Sequence, residues 1–135
     1  MKNSIVFGVG VALISLVRIS SAADDSVLGK WQTEPGDTGG RVHVLIEPCG
    51  DKLCGTIVSA VTAEGAVNDT YEHLGKQMIK DMKKKGPASY AKGKIWAPDK
   101  NKTYNSSMKL ADSGNLVVKG CVAFICRTQV WTRVN

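Results

Sequence analysis

The chain has 135 residues, with 18 Lys and Arg against 12 Asp and Glu and a formal charge of +6. At roughly 100–200 residues per domain, that length allows one domain and no separate catalytic domain. Its 43% hydrophobic and 22% charged residues exclude disorder, collagen and coiled coil as descriptions of the whole.

Residues 1–23 read as a cleaved secretory signal. Lys2 supplies a positive start, Ile5 to Val17 is almost wholly apolar, and Ser20-Ser21-Ala22-Ala23 offers small residues for the cut before Asp24-Asp25. The apolar run is too short for a membrane-spanning helix, so none is expected. Loss of Lys2 and Arg18 leaves 16 basic against 12 acidic residues, a charge of +4, on a domain running from 24 to 135. That mild excess suits loose attraction to anionic surfaces. The lysines are spread along the chain, however, and no comb of aromatic and basic residues marks a nucleic-acid groove, so no nucleic-acid partner is expected.

Gly29 to Thr33 reads as a first short strand and Glu34 to Gly40 as a Pro/Gly loop. Arg41 to Cys49 alternates apolar Val42, Val44 and Ile46 with its other face, and Leu53 to Val61 returns antiparallel. All four cysteines have i, i+5 spacing, in Cys49–Cys54 and Cys121–Cys126. In an exported chain this favours two local disulfides over a zinc site or redox pair, which use tighter spacings. A four-residue loop would set Cys49 opposite Cys54, Leu45 opposite Val58, Ile46 opposite Ile57 and Val44 opposite Ser59.

Asp69 with Glu72 resembles a capping box, and Tyr71, Leu74, Met78 and Met82 follow at helical spacing until Lys83-Lys84-Lys85 and Gly86-Pro87. This predicts one amphipathic helix over 69–85. Strand character resumes at 89–97, 102–111, 115–123 and 125–134, between tight turns. The expected fold is mainly β: an antiparallel meander that closes on itself, interrupted by one helix.

Several words now form one pattern. They are Gly29-Lys30-Trp31-x-Thr33, Val42-x-Val44-x-Ile46-x-x-Cys49-Gly50-x-x-Leu53-Cys54-Gly55, Gly93-x-Ile95, Lys102-Thr103-Tyr104, Leu116-x-Val118-x-Gly120-Cys121, Cys126-Arg127 and Trp131-x-Arg133-Val134. Together they resemble the bacterial exported proteins grouped as domain of unknown function 2147, over nearly all of the expected mature chain. The segment 62–76 departs from that family in being short and free of Pro and Arg. The resemblance implies a lipocalin-like, calycin-type up-and-down barrel of seven or eight strands, in the periplasm or secreted. It also implies that Trp31 plugs one end beneath Arg133 or Arg127.

No catalytic group is expected. His43 falls on an outward strand face and His73 near Asp69 and Glu72, without a nucleophile set beside either. Nothing fixes a metal site on His43, His73 and Asp69, and no cofactor is implied. Asn68, Asn101 and Asn105 match Asn-x-Ser/Thr, which a bacterial chain carries by chance.

Two non-enzymatic readings remain. In the first, the barrel carries a small apolar or amphipathic ligand on Val44, Ile46, Ile57, Trp96, Tyr104 and Met108, with Tyr71, Met78 and Met82 as a lid. The same side chains would equally fill a barrel of this size. In the second, the barrel is filled and binds a protein partner, a hydrolase or an envelope-assembly component, through its loops.

Overall fold

A computed structural model describes residues 26–135, together with Gly8, Gly10 and Ala12; the rest of the signal segment expected at 1–23 lies outside the described residues. Eight antiparallel strands form a closed barrel in chain order: β1 (Gly29–Gln32), β2 (Arg41–Cys49), β3 (Lys52–Val61), β4 (Gln77–Gly86), β5 (Ser89–Ala97), β6 (Lys102–Leu110), β7 (Leu116–Val122) and β8 (Ile125–Arg133). Closure rests on the short β1–β8 seam, where Trp31 faces Arg133 and Gln32 faces Thr132. A closed barrel leaves few unpaired edges, which suits strands this short.

The helix expected over 69–85 is absent. Its second half is β4, and its first half is a series of turns. The strand is irregular: Ile79 pairs with Ile95 inside and Lys80 with Lys94 outside, and a break at Asp81 (φ 59°) turns Met82 back inward, so Ile79 and Met82 are buried three residues apart, a spacing that imitates a helix. Tertiary pairing decides: without β4, both β3 and β5 would expose an unpaired edge. Gly86 pairs with Ser89 across a tight turn at Pro87-Ala88, so these residues close a hairpin and not a helix.

The first cysteine hairpin also differs in register. Cys49 faces Lys52 across the two-residue turn Gly50-Asp51, with Gly50 at φ 67°. Leu45 therefore meets Thr56, Ile46 meets Gly55 and Val44 meets Ile57. Because the slip at the turn is even, Ile46 stays inside; a bulge at His43/Val44 then leaves the exposed Val58 unpaired and sets the buried Ala60 opposite Val42. In the second hairpin Cys121 does face Cys126 directly. Both disulfides are formed within their hairpins.

Inward residues pack one end solid. Val27, Trp31, Val44, Ile46, Ile57, Ile79, Met82, Met108, Leu116 and Trp131 are essentially fully buried. The Trp31 indole donates to the Val27 carbonyl at 2.9 Å. The Arg133 guanidinium lies 4.1 Å over the Trp31 ring and donates to the carbonyls of Leu28, at 2.6 Å, and Ser26. Gly29 makes this possible: its φ is 115°, and a Cβ there would stand 2.8 Å from Arg133 Nη1.

Candidate functional site

Strand direction sorts the molecule into two ends. Trp31, Arg133 and the β2–β3, β4–β5 and β6–β7 turns occupy the plugged end, while the 33–40 loop, the 62–76 segment, the β5–β6 turn and the β7–β8 turn surround the other. At this second end lies a cavity of about 680 Å³.

Its apolar wall comes from residues one step beyond the core on each strand. Val42 follows Val44 and Ile46 along β2, Ala60 lies beyond Ile57 on β3, and Val118 follows Leu116 on β7. Met78, Ile95, Trp96 and Tyr104 complete it. Space persists because small residues stand where large ones would block it. A Cβ on Gly120 would come within 3.3 Å of Ile95 Cγ2 and 3.5 Å of Tyr104 Cβ, so these two side chains fold over the glycine.

The rim is polar. Arg41, Glu64, Arg127 and Gln129 line it, and the side chains of Arg41, Glu64 and Arg127 make no hydrogen bond or ion pair among the described residues. The 33–40 loop spans the opening from β1 and β2 to the β5–β6 turn, which lies halfway round the barrel. There the Asp37 amide donates to Asp99 Oδ2 at 2.7 Å, and Lys100 stands 3.8 Å from Asp37. On the β8 side, Glu34 accepts the Val130 amide at 2.6 Å. Partial burial, then the charges of Asp99 and Glu72, push the Tyr71 phenol above its usual pKa, so Tyr71 stays a neutral donor at the rim.

Trp96 is held by a stack. The rings of Tyr71 and His73 meet edge-on at 5.2 Å and those of His73 and Trp96 at 5.0 Å, while Lys76 Nζ lies 5.5 Å from the Trp96 centroid. The Trp96 indole donates to Asn101 at 3.0 Å. His73 Nε2 lies 3.3 Å from Glu72, and its Nδ1 is buried without a hydrogen-bond partner among the described residues.

Of the nine side chains expected around a ligand, Tyr71, Met78, Trp96 and Tyr104 come together at the cavity. Val44, Ile46, Ile57, Met82 and Met108 lie in the packed core. Because β4 replaces the helix, Met78 and Met82 belong to the wall and cannot act as a lid; the 33–40 loop covers the opening instead. Val42, Ala60, Ile95, Val118, Arg41 and Arg127 were not foreseen. The two-residue alternation already puts Val42 on the face of Val44, and a Trp31 plug at one end implies that the open end lies beyond Val42.

His43 Nε2 lies 3.1 Å from Gln32 Oε1, and burial, then the Lys30 charge, hold its pKa below the usual value. No cluster of three or more His, Cys, Asp or Glu suited to a metal ion occurs among the described residues. Among them, too, no helix is long and apolar enough to cross a membrane.

Residues 29–133 match the family described as uncharacterized proteins conserved in bacteria, DUF2147. The chain belongs to this family. No curated protein matches it. The barrel of this DUF2147 chain is similar to that of protein HP1028 from the human pathogen Helicobacter pylori, described as belonging to the lipocalin family. The TM-score is 0.63 at 19% identity, over 80% of this chain and 82% of that one. At that identity the likeness establishes a lipocalin-like fold.

Proposed function

We propose that this DUF2147 chain is a non-enzymatic binding protein of the cell envelope that takes one small apolar or amphipathic molecule into the open half of its barrel. The observation that carries this reading is the cavity of about 680 Å³, apolar in its wall and polar at its rim. Small-molecule sites fall in the range of about 300–1,000 Å³ with this same division of labour. Val42, Ile95, Tyr104 and Val118 would receive the apolar body. Arg41 and Arg127, which lack protein partners among the described residues, would hold a polar or anionic head. The two disulfides and the bacterial family fit an exported protein, as does the signal-like sequence at 1–23.

Titration with the amphipathic fluorophore anilinonaphthalene sulfonate tests this reading, with Ala60→Trp as the variant. Ala60 is buried at the cavity wall, so the indole occupies the space a ligand needs. Saturable binding that the substitution removes, in a variant that stays folded, supports the reading; binding left unchanged counts against it.

A second reading has its own observation. Val122, Phe124 and Ile125 form an exposed apolar hairpin tip clamped by Cys121–Cys126, and such a patch suits a protein partner in the envelope. Capture of one envelope protein that Phe124→Ser abolishes, with no fluorophore binding, would favour this reading over the first.

A further inference from the structure

Lysines that are scattered in the sequence converge on one wall of the barrel. Between residues 77 and 97 six lysines stand against one acid, Asp81. The inward pair Ile79–Ile95 sets the neighbouring pair, Lys80 opposite Lys94, on the outer face. Lys83 faces Ala91, Lys109 faces Ser89 and Val117, and Lys119 faces Ser107 and Thr128. Lys80, Lys83, Lys92, Lys94, Lys109 and Lys119 are all exposed. A groove of about 490 Å³ runs into the same wall between Lys85, Lys109 and Lys119, whose three ammoniums outnumber the one carboxylate that lines it, Asp112.

Like charges directly opposite one another across two strands are destabilising. Among the described residues, the Lys80–Lys94 pair is eased by a hydrogen bond from Lys94 Nζ to Asn105 Oδ1. A wall that works against its own folding in this way is suited to an anionic counter-surface. The charge is also uneven: the loops at the open end carry Glu34, Asp37, Glu64, Asp69, Glu72 and Asp99 against Lys76 and Lys100, and the turns at the plugged end carry Asp51 and Asp112, so the excess of positive charge sits on the strands.

We propose that the outer wall of β4 to β7 is a docking surface for an anionic lipid bilayer, on which the barrel lies on its side. Lysine ammoniums on flexible stems are point charges that suit a fluid layer of head groups better than a fixed bidentate partner. The groove between Lys85, Lys109 and Lys119 gives one head group a seat. Nucleic acid is disfavoured: the outward partners of these lysines, Ala91, Asn105, Ser107 and Thr128, provide no aromatic ring on which bases would stack. The open end stays free of the membrane plane, and the inference is independent of what the cavity holds.

The test is co-sedimentation of the oxidised protein, purified from the cells that make it, with vesicles of phosphatidylcholine alone and of equimolar phosphatidylglycerol and phosphatidylcholine. The expected result is binding to the mixed vesicles only, lost at about 0.5 M salt, where screening is short-ranged. At roughly five-fold per lysine near an anionic surface, the triple variant Lys80→Gln, Lys94→Gln, Lys119→Gln should bind about a hundred-fold more weakly. It should melt no lower than the parent, since it relieves a like-charge pair. The charge-matched control Lys30→Gln, Lys52→Gln, Lys102→Gln should retain most of the binding. Equal binding to both vesicles, no binding to either, an equal loss in the control, or binding of single-stranded DNA with no vesicle binding would overturn the proposal.

Discussion

Met108 and Tyr104 lie four residues apart on β6, on the same inward face, and the half-filled barrel assigns them opposite roles. Met108 is 2% exposed and belongs to the packed end, whereas Tyr104 borders the cavity. Truncating Met108 to Ala removes a side chain with neighbours on all sides and leaves a void, which costs about 2–5 kcal/mol. Tyr104 already has open space on one side, so Tyr104→Ala forfeits fewer contacts and costs about 1 kcal/mol. Equilibrium urea unfolding separates the two. With a slope of about 1–3 kcal/mol/M for a small protein, Met108→Ala should lower the midpoint by on the order of 1–2 M and Tyr104→Ala by a fraction of that. Tyr104→Ala should weaken amphiphile binding and Met108→Ala should leave it near the parent value. Equal destabilisation by the two variants would refute the division of the barrel, because it would mean that side chains fill both halves.

Three further outcomes follow from particular contacts. His43 has a folded-state pKa below its ordinary value, so the unfolded chain takes up the proton more readily and stability falls as pH drops from about 6.5; melting curves against pH should show this decline, and His43→Gln should flatten it. Gly29→Ala forces a side chain into a left-handed φ and against Arg133, and chemical denaturation should register a loss of about 1–3 kcal/mol. Asp99→Ala removes the acceptor that ties the 33–40 loop across the opening, so stopped-flow should show faster release of bound amphiphile with little change in melting temperature.

The strands were legible wherever apolar and polar residues alternate between clear turn residues, as in Val42-x-Val44-x-Ile46 and Leu116-x-Val118. The segment 77–86 was not, because the break at Asp81 buries Ile79 and Met82 at a helix-like spacing of three, and only pairing with β3 and β5 shows it to be a strand. Identical cysteine spacings gave two different registers, since the turn conformation at Gly50 and Ala123, and not the spacing, sets which residues face each other. The aromatic part of the candidate site was partly readable through Tyr71, Trp96 and Tyr104. Its rim was not, because Arg41 and Arg127 lie 86 positions apart in sequence and meet the same cavity only when the barrel closes. The lysine wall is hidden for the same reason: strand register alone pairs Lys80 with Lys94 and brings Lys119, two strands on from Lys94, to the same outer face.

The central claim is that the open half of the barrel holds a small molecule. Native mass spectrometry of the oxidised protein purified from its own envelope tests it most directly, with extraction and identification of whatever is released. The account predicts a stoichiometric apolar or amphipathic adduct that Ala60→Trp eliminates. A bare mass in every preparation, together with no uptake of added amphiphile, would contradict it.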